Sequence, residues 1–163
     1  MRLPFLAPVH REGWIFVGLF FICSLLLNHL SGFLGTVGFI LTGWCLYFFR
    51  DPQRVTPTRE GLVVSPADGL IVAVTHANPP SELGLKEGKW QRISIFLNVF
   101  DVHINRIPMD GRIKKSIYYP GKFFNASLDK ASEFNERQSL VLETNQKQEI
   151  AFVQIAGLIA RRI

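Results

Sequence analysis

The sequence predicts a mostly β (α+β) globular domain preceded by an N-terminal helical hairpin, either transmembrane or re-entrant. Two observations support this fold class. No Asp, Glu, Lys or Arg occurs between Trp14 and Phe49, which is typical of a segment in contact with lipid. Beyond Phe49 the composition is that of an ordinary globular protein, with short β-branched and aromatic runs separated by turn residues. The 163 residues suffice for one modest domain and this appendage.

The apolar segment divides into two runs, Trp14 to Leu30 and Phe33 to Phe49. Each is close to the lower limit of about 17 to 25 residues for a membrane span, so crossing and re-entrant hairpins are both open. Arginines flank both ends, which favours the cytoplasmic side for the two termini. Small residues would let the two helices approach closely; the glycines concerned are Gly32, Gly35, Gly38 and Gly43.

Composition divides the chain into a cytoplasmic segment (1–13), the hairpin (14–49), a linker (50–60) and a β-rich domain (61–163). Prolines at 52 and 57 prevent a helix from continuing through the linker. A short helix is expected within 123–137, and 78–89 is expected to be an exposed loop. The predicted strands are 61–65, 70–77, 92–100, 112–119, 139–144 and 148–156, the last two forming a hairpin around 145–147.

The net charge of +5 and the pI near 9.5 suit a surface that faces anions. An anionic lipid layer is favoured over nucleic acid because the apolar segment already brings the chain to a membrane. Cys23 and Cys45 both lie in that segment, and we expect two inert, buried thiols. The sequence has no CxxC and no cluster of His or Cys with the spacing of a metal site, so a disulfide or metal role of these cysteines is the less favoured alternative.

The stretch Leu97 to Pro108 (LNVFDVHINRIP) carries the strongest chemical signal. An apolar run ends there in Asp101, His103 and Arg106, and a strand end can hold a titratable group against a substrate. A carboxylate beside an imidazole fixes its tautomer, as general acid–base work requires. The competing interpretation is a structural histidine. Asp68 lies in a turn, where an Asp commonly bonds its own backbone.

Several basic residues could bind phosphate, although a charge on a strand or short helix more often forms a solvated face. These residues are Arg106, Lys114, Lys115, Lys122 and Lys130.

Taken together, several blocks of the chain resemble the phosphatidylserine decarboxylase family in its short, membrane-anchored form. The blocks occur in order along the whole chain and the middle ones are long. They are YFFRDPQR (47–54), SPADG (65–69), LNVFDVHINRIPMDG (97–111), YYPGKFFNASLDKASEFNER (118–137) and QIAGLIARRI (154–163).

The resemblance implies an enzyme that removes CO2 from the serine headgroup of phosphatidylserine, giving phosphatidylethanolamine. It implies a covalent pyruvoyl group, formed when the proenzyme cuts itself at a Gly-Ser bond, which acts as an electron sink. The family's self-cleavage triad maps onto Asp68 and His103, with Asp68 orienting the imidazole and His103 taking the serine proton. Arg106, Lys122, Asn125 and Lys130 are the candidate substrate-binding residues.

None of the 13 glycines precedes a serine, so we expect this chain to be the amino-terminal part of such an enzyme, inactive without a pyruvoyl-bearing C-terminal chain. The expected partners are that chain, the membrane, an anionic phospholipid and a second copy in a homodimer. The expected location is the cell membrane, with the catalytic domain on the cytoplasmic side. Two alternatives stay open, namely a non-catalytic membrane-tethered binding or assembly domain and a decarboxylase of archaetidylserine.

Overall fold

A computed structural model describes residues 7–125, 131–161 and 163. Two helices are followed by short antiparallel strands, which confirms the predicted α+β, mostly β class. In chain order the elements are α1 (Gly13–Leu30), α2 (Gly32–Phe48), β1 (Leu70–Ala77), a 3₁₀ turn (Ser81–Leu83), β2 (Trp90–Phe96), β3 (Gly111–Tyr119), α3 (Ala131–Phe134), β4 (Arg137–Thr144) and β5 (Glu149–Ile155).

The chain forms two compact units. The first comprises Met1–Gly69 with Leu97–Arg106, and the second comprises Leu70–Phe96 with Ile107–Ile163. The segment that carries His103 therefore belongs to the same unit as the two helices, although 27 residues of the second unit (70–96) separate them along the chain.

In the first unit, α1 and α2 pack closely along a line of small residues. The hydroxyl oxygens of Ser24 and Thr42 lie 3.2 Å apart in the interface. A Cβ atom at Gly38 would lie 2.7 Å from the Ser24 hydroxyl oxygen, and one at Gly35 would overlap Asn28. The predicted close approach is confirmed at these two glycines and is wrong at Gly32 and Gly43, where a Cβ would meet no atom within 4 Å.

Most large apolar side chains of the two helices are exposed, as is typical of helices that meet lipid. By length and composition α1 could cross a membrane, and α2 is an apolar helix of 17 residues. Cys45 is buried as expected, but Cys23 is exposed, which corrects the prediction of two buried thiols. The reason is helical geometry, since the buried Ser24 points into the interface and its neighbour cannot share that face.

The ends of the hairpin are joined by backbone hydrogen bonds. The His10 amide donates to the carbonyl of Phe49 at 2.8 Å, and the Asp51 amide donates to the carbonyl of Pro8 at 2.7 Å. The phenyl rings of Phe16 and Phe49 stack with centroids 5.4 Å apart. The chain that enters α1 is thereby fixed to the chain that leaves α2.

The second unit contains two antiparallel sheets, β1–β2 and β3–β4–β5. β4 is central in the larger sheet, where Gly111 pairs with Thr144 and Tyr119 pairs with Arg137 on the β3 side. Its Val141 and Leu142 are 1% and 0% exposed and form the core of this unit. The predicted hairpin of the last two strands is confirmed, with β4 and β5 paired on either side of the turn.

A buried side-chain amide ties the chain beside α3 to the sheet. Asn135 is fully buried; its Oδ1 accepts from the Phe124 amide at 2.9 Å, and its Nδ2 donates to the carbonyls of Phe124 and Ala156 at 2.8 Å each. All of its polar atoms are therefore paired, as burial requires.

Two local predictions are wrong and one is confirmed. The short helix expected within 123–137 is α3, at Ala131–Phe134. Residues 61–65, by contrast, form no strand in the structure. The loop 78–89 is not simply exposed, because Leu83 is 0% exposed and Glu82 accepts hydrogen bonds from Arg137 at 2.7 Å and Ser139 at 3.0 Å. The hydrogen bond from Arg137 is the main reason that the pKa of Glu82 is lowered.

Candidate functional site

The stretch predicted to carry the chemistry is an irregular loop rather than the end of a strand. β2 stops at Phe96, and a turn follows in which the Asp101 amide donates to the carbonyl of Asn98 at 2.7 Å. The Asp101 carboxylate closes the same turn by accepting from the Asn98 amide at 2.7 Å. This assigns Asp101 a structural role, which the sequence alone did not provide.

His103 is half-buried between an aromatic ring and a backbone carbonyl. Its imidazole stacks on the phenyl ring of Phe48, with ring centroids 4.3 Å apart and planes 28° apart. Its Nδ1 lies 3.2 Å from the carbonyl oxygen of Asp101. Because a carbonyl oxygen only accepts, the neutral ring carries its proton on Nδ1, and Nε2 is the basic nitrogen.

The pKa of His103 is lowered, chiefly because burial disfavours the charged imidazolium. The Asp101 carbonyl and carboxylate oppose this shift, and the positive charge of Arg50 adds to it. The imidazole is therefore neutral at pH 7 and able to accept a proton.

Asp68 forms ion pairs with arginines instead of bonding its own backbone. Its Oδ2 accepts from Arg54 at 3.0 Å (Nη2) and 3.2 Å (Nε), and it lies 3.7 Å from Nη1 of Arg106. Within the described ranges no hydrogen bond joins Asp68 to His103. The predicted Asp68–His103 pair stays a prediction.

Arg106 connects three parts of the first unit. Its amide donates to the carbonyl of Pro66, and its Nη2 donates to Asp51 at 2.5 Å and to the carbonyl of Pro52 at 3.0 Å. The structure thus brings Arg106 and Asp68 together, as two of the predicted site residues. A lipid phosphate would have to share or replace these carboxylate contacts, and the substrate-binding role of Arg106 stays a prediction.

The remaining candidate substrate-binding residues lie in the second unit. The Lys122 backbone pairs with the chain at 134–136, and its ammonium group lies 5.6 Å from the centre of the Phe124 ring. Asn125 ends the first described range, and Lys130 lies outside the described residues.

Two other lysines considered for phosphate binding have partners within the second unit. Lys114 pairs with Glu143 at 3.1 Å and Glu149 at 3.2 Å. Lys115 donates to the carbonyl of Leu83 at 2.5 Å. Both ammonium groups are thereby engaged in contacts that hold this unit together.

Sequence reasoning missed the contribution of the residues that leave α2. Arg50 donates from Nη1 to the carbonyl of Tyr47 at 2.7 Å and from Nη2 to the carbonyl of Phe100 at 2.8 Å. Its guanidinium carbon lies 3.6 Å from the centre of the Tyr47 ring. An available signal was the RDP sequence directly after an uncharged segment, because charged residues often mark the ends of apolar helices.

The described side chains include one group suited to proton transfer, the imidazole of His103. A neutral imidazole with a basic Nε2 can take the proton of a serine hydroxyl. Among the described residues there is no group of three or more His, Cys, Asp or Glu that could hold a metal ion.

Comparison with known proteins gives the family of this chain. A family described as phosphatidylserine decarboxylase matches residues 41–163. Phosphatidylserine decarboxylase proenzymes of Rickettsia bellii and Rickettsia felis are each 59% identical over 155 residues, and that of Rickettsia prowazekii is 58% identical. Each alignment covers 95% of this chain and 67% of the relative. The chain belongs to the phosphatidylserine decarboxylase family, whose members convert phosphatidylserine to phosphatidylethanolamine.

Proposed function

We propose that this chain supplies the proton-transfer residues of a phosphatidylserine decarboxylase that processes itself, with His103 as the base. The observation that carries the proposal is the environment of the imidazole, which is half-buried, lowered in pKa and oriented through Nδ1. A base must be neutral to act, and these features favour the neutral form with Nε2 available.

During processing, Nε2 of His103 takes the proton from the hydroxyl of the cleavage-site serine as that oxygen attacks the preceding carbonyl carbon. This serine does not occur after any glycine in the present sequence. The imidazolium formed is stabilised by an acceptor at Nδ1–H. The Asp101 carbonyl occupies that position in the structure, and we propose that Asp68 replaces it in the assembled site.

Arg54 and Arg106 support this role for Asp68. Arg54 donates to Oδ2 at 3.0 Å and Arg106 lies 3.7 Å from the same oxygen. These contacts fix the direction of the carboxylate, and we propose that Oδ1 accepts from the imidazole.

The pyruvoyl group, when formed, withdraws the electrons released with CO2. The residues of this chain then transfer protons to and from the reacting groups. His103 can return a proton to the product from Nε2, and the Phe48 ring covers one face of the imidazole.

We further propose that the hairpin keeps the site at the bilayer surface, on the cytoplasmic side, where its anionic lipid substrate is concentrated. Arg106, Lys122, Asn125 and Lys130 are proposed to contact the headgroup and phosphate. The segment boundaries 1–13, 14–49, 50–60 and 61–163 belong to the same proposal, as do a pyruvoyl-bearing partner chain and a homodimer.

The test joins this chain to a carboxyl-terminal segment that carries the family's Gly-Ser pair and follows its cutting on a denaturing gel. We expect His103→Ala and Asp68→Ala each to leave an uncut precursor, with cleavage at least about 10³-fold slower. His76→Ala is the control, because His76 is an exposed residue of β1.

Normal cleavage of the His103→Ala protein would refute the proposed base. Normal cleavage of only the Asp68→Ala protein would leave the Asp101 carbonyl as the group that orients the imidazole. Complete processing without any release of CO2 from phosphatidylserine would favour the binding or assembly module, and release from archaetidylserine alone would identify the other lipid.

A further inference from the structure

The chain that leaves α2 makes two separate contacts with the loop that carries His103. One is the stacking of Phe48 on the imidazole, with ring centroids 4.3 Å apart. The other is the hydrogen bond from Arg50 Nη2 to the carbonyl of Phe100, at 2.8 Å. Both contacts lie within the first unit.

Arg50 is itself held in place from the helix side. Its Nη1 donates to the carbonyl of Tyr47, and its guanidinium lies over the Tyr47 ring. A planar guanidinium can make these contacts together, whereas a lysine ammonium cannot match this flat, two-sided geometry. The position of Phe100, one residue before Asp101, is thereby tied to the end of the helix.

Phe48 is likewise fixed by neighbours. Its ring packs at 5.4 Å from the Trp44 ring and edge-on at 5.1 Å from the Phe49 ring. These aromatic residues lie at the end of the apolar helix α2, and aromatic side chains at the ends of such helices commonly meet lipid headgroups. The imidazole therefore stacks on a ring whose position depends on the position of helix α2.

We infer that Phe48 and Arg50 are positioning residues. Through them, the position of the helical hairpin determines the orientation of the His103 imidazole. Phe48 covers the ring face, and Arg50 holds the loop whose Asp101 carbonyl accepts from Nδ1. The inference deepens the proposed function, since it assigns to the hairpin an effect on the base in addition to anchoring.

The test is a titration of the His103 ring, followed by NMR in the chain reconstituted in detergent micelles with labelled histidine. The charged groups that act on this ring are Asp101 and Arg50. Phe48→Leu and Arg50→Gln should each raise the pKa of His103 by about half a unit or more. Phe48→Leu admits water that solvates the charged imidazolium, and Arg50→Gln removes a nearby positive charge.

Conservative variants separate positioning from general damage to the fold. Phe48→Tyr keeps an aromatic ring and should leave the pKa of His103 near the wild-type value. Arg50→Lys keeps the charge but loses the two-sided contact, so its ring signal should broaden or shift position while its pKa changes less than in Arg50→Gln. Phe33→Leu and Arg59→Gln, which change exposed residues of the same unit, should have no effect.

Unchanged titration in both Phe48→Leu and Arg50→Gln would overturn the inference, as would equal shifts in the two control variants. The result does not depend on whether His103 is the base. If the pKa shifts as expected but His103→Ala is still processed, the coupling stands and the proposed function fails.

Discussion

The helical hairpin of the first unit and the three-stranded sheet of the second place their apolar side chains in opposite ways. In the hairpin, Ile15 and Leu30 are 72% and 78% exposed, and the buried residues are mainly glycine, serine and threonine, with one valine and one cysteine. In the sheet, Val141 and Leu142 are buried. Lipid removes the hydrophobic gain from packing apolar side chains between helices, so close backbone approach must hold the hairpin together.

The two regions also treat polar groups differently. Asn135 is buried in the second unit with every polar atom paired. In the first unit the charged side chains gather where the chain leaves the hairpin, and there they contact each other and the His103 loop. In the second unit a buried polar group therefore fixes the fold, whereas in the first unit the charged groups lie partly exposed around one loop.

Among the variants that test this difference between the units, Asn135→Ala should have the largest effect on stability. It leaves the amide and carbonyl of Phe124 and the carbonyl of Ala156 without partners, and should lower the free energy of unfolding of the second unit by about 3 kcal/mol. Hydrogen exchange at the β4 amides would measure the loss, while exchange in α1 and α2 should not change.

Asn78→Ala is the matched control, because it removes a single exposed hydrogen bond from the Gly88 amide. This variant should lower the free energy of unfolding of the second unit by less than about 1 kcal/mol. Equal losses in the two variants would contradict the assignment of Asn135 as the polar anchor of this unit.

A smaller effect is expected from Gly38→Val in the hairpin. The added side chain would collide with Ser24, and such overpacking typically costs about 1–3 kcal/mol. The loss of stability would be measured by unfolding the helices reversibly in mixed micelles with a rising fraction of dodecyl sulfate.

Gly43→Val introduces the same side chain into the same helix at a position with open space. The difference between the two variants therefore isolates packing between helices from helix propensity. If both variants unfold at the same dodecyl sulfate fraction, close approach at Gly38 does not stabilise the hairpin.

The sequence predicted the helices and most strands because their signals are local. A segment without charges can only be buried or in lipid, and the turn at 145–147 separates two apolar runs that pair as β4 and β5. The end of β2 was misplaced because Leu97 and Phe100 continue the apolar pattern. Hydrogen bonds between Asn98 and Asp101 stop the strand there.

The site was predictable only as far as its residue types allow. His103 stood out as a histidine among an acid and an arginine, but its contact with Phe48 joins positions 55 residues apart. The pairing of Arg106 with Asp51 spans the same separation. Such contacts depend on how the hairpin and the loop fold together, and no local pattern reports them. The same holds for Leu83, which lies within the loop predicted to be exposed but is buried, because its carbonyl and neighbours contact strands distant in sequence.

The most direct test of the central claim is the pH dependence of self-cleavage in the chain joined to its Gly-Ser segment. Since the pKa of His103 lies below its ordinary value of about 6.5, the base is neutral above that pKa and charged below it. The cleavage rate should be level around pH 7 and fall about tenfold per pH unit once the pH drops below the pKa. A rate that falls as the pH rises from 6 to 8, or a profile that His103→Gln leaves unchanged, would contradict His103 as the base.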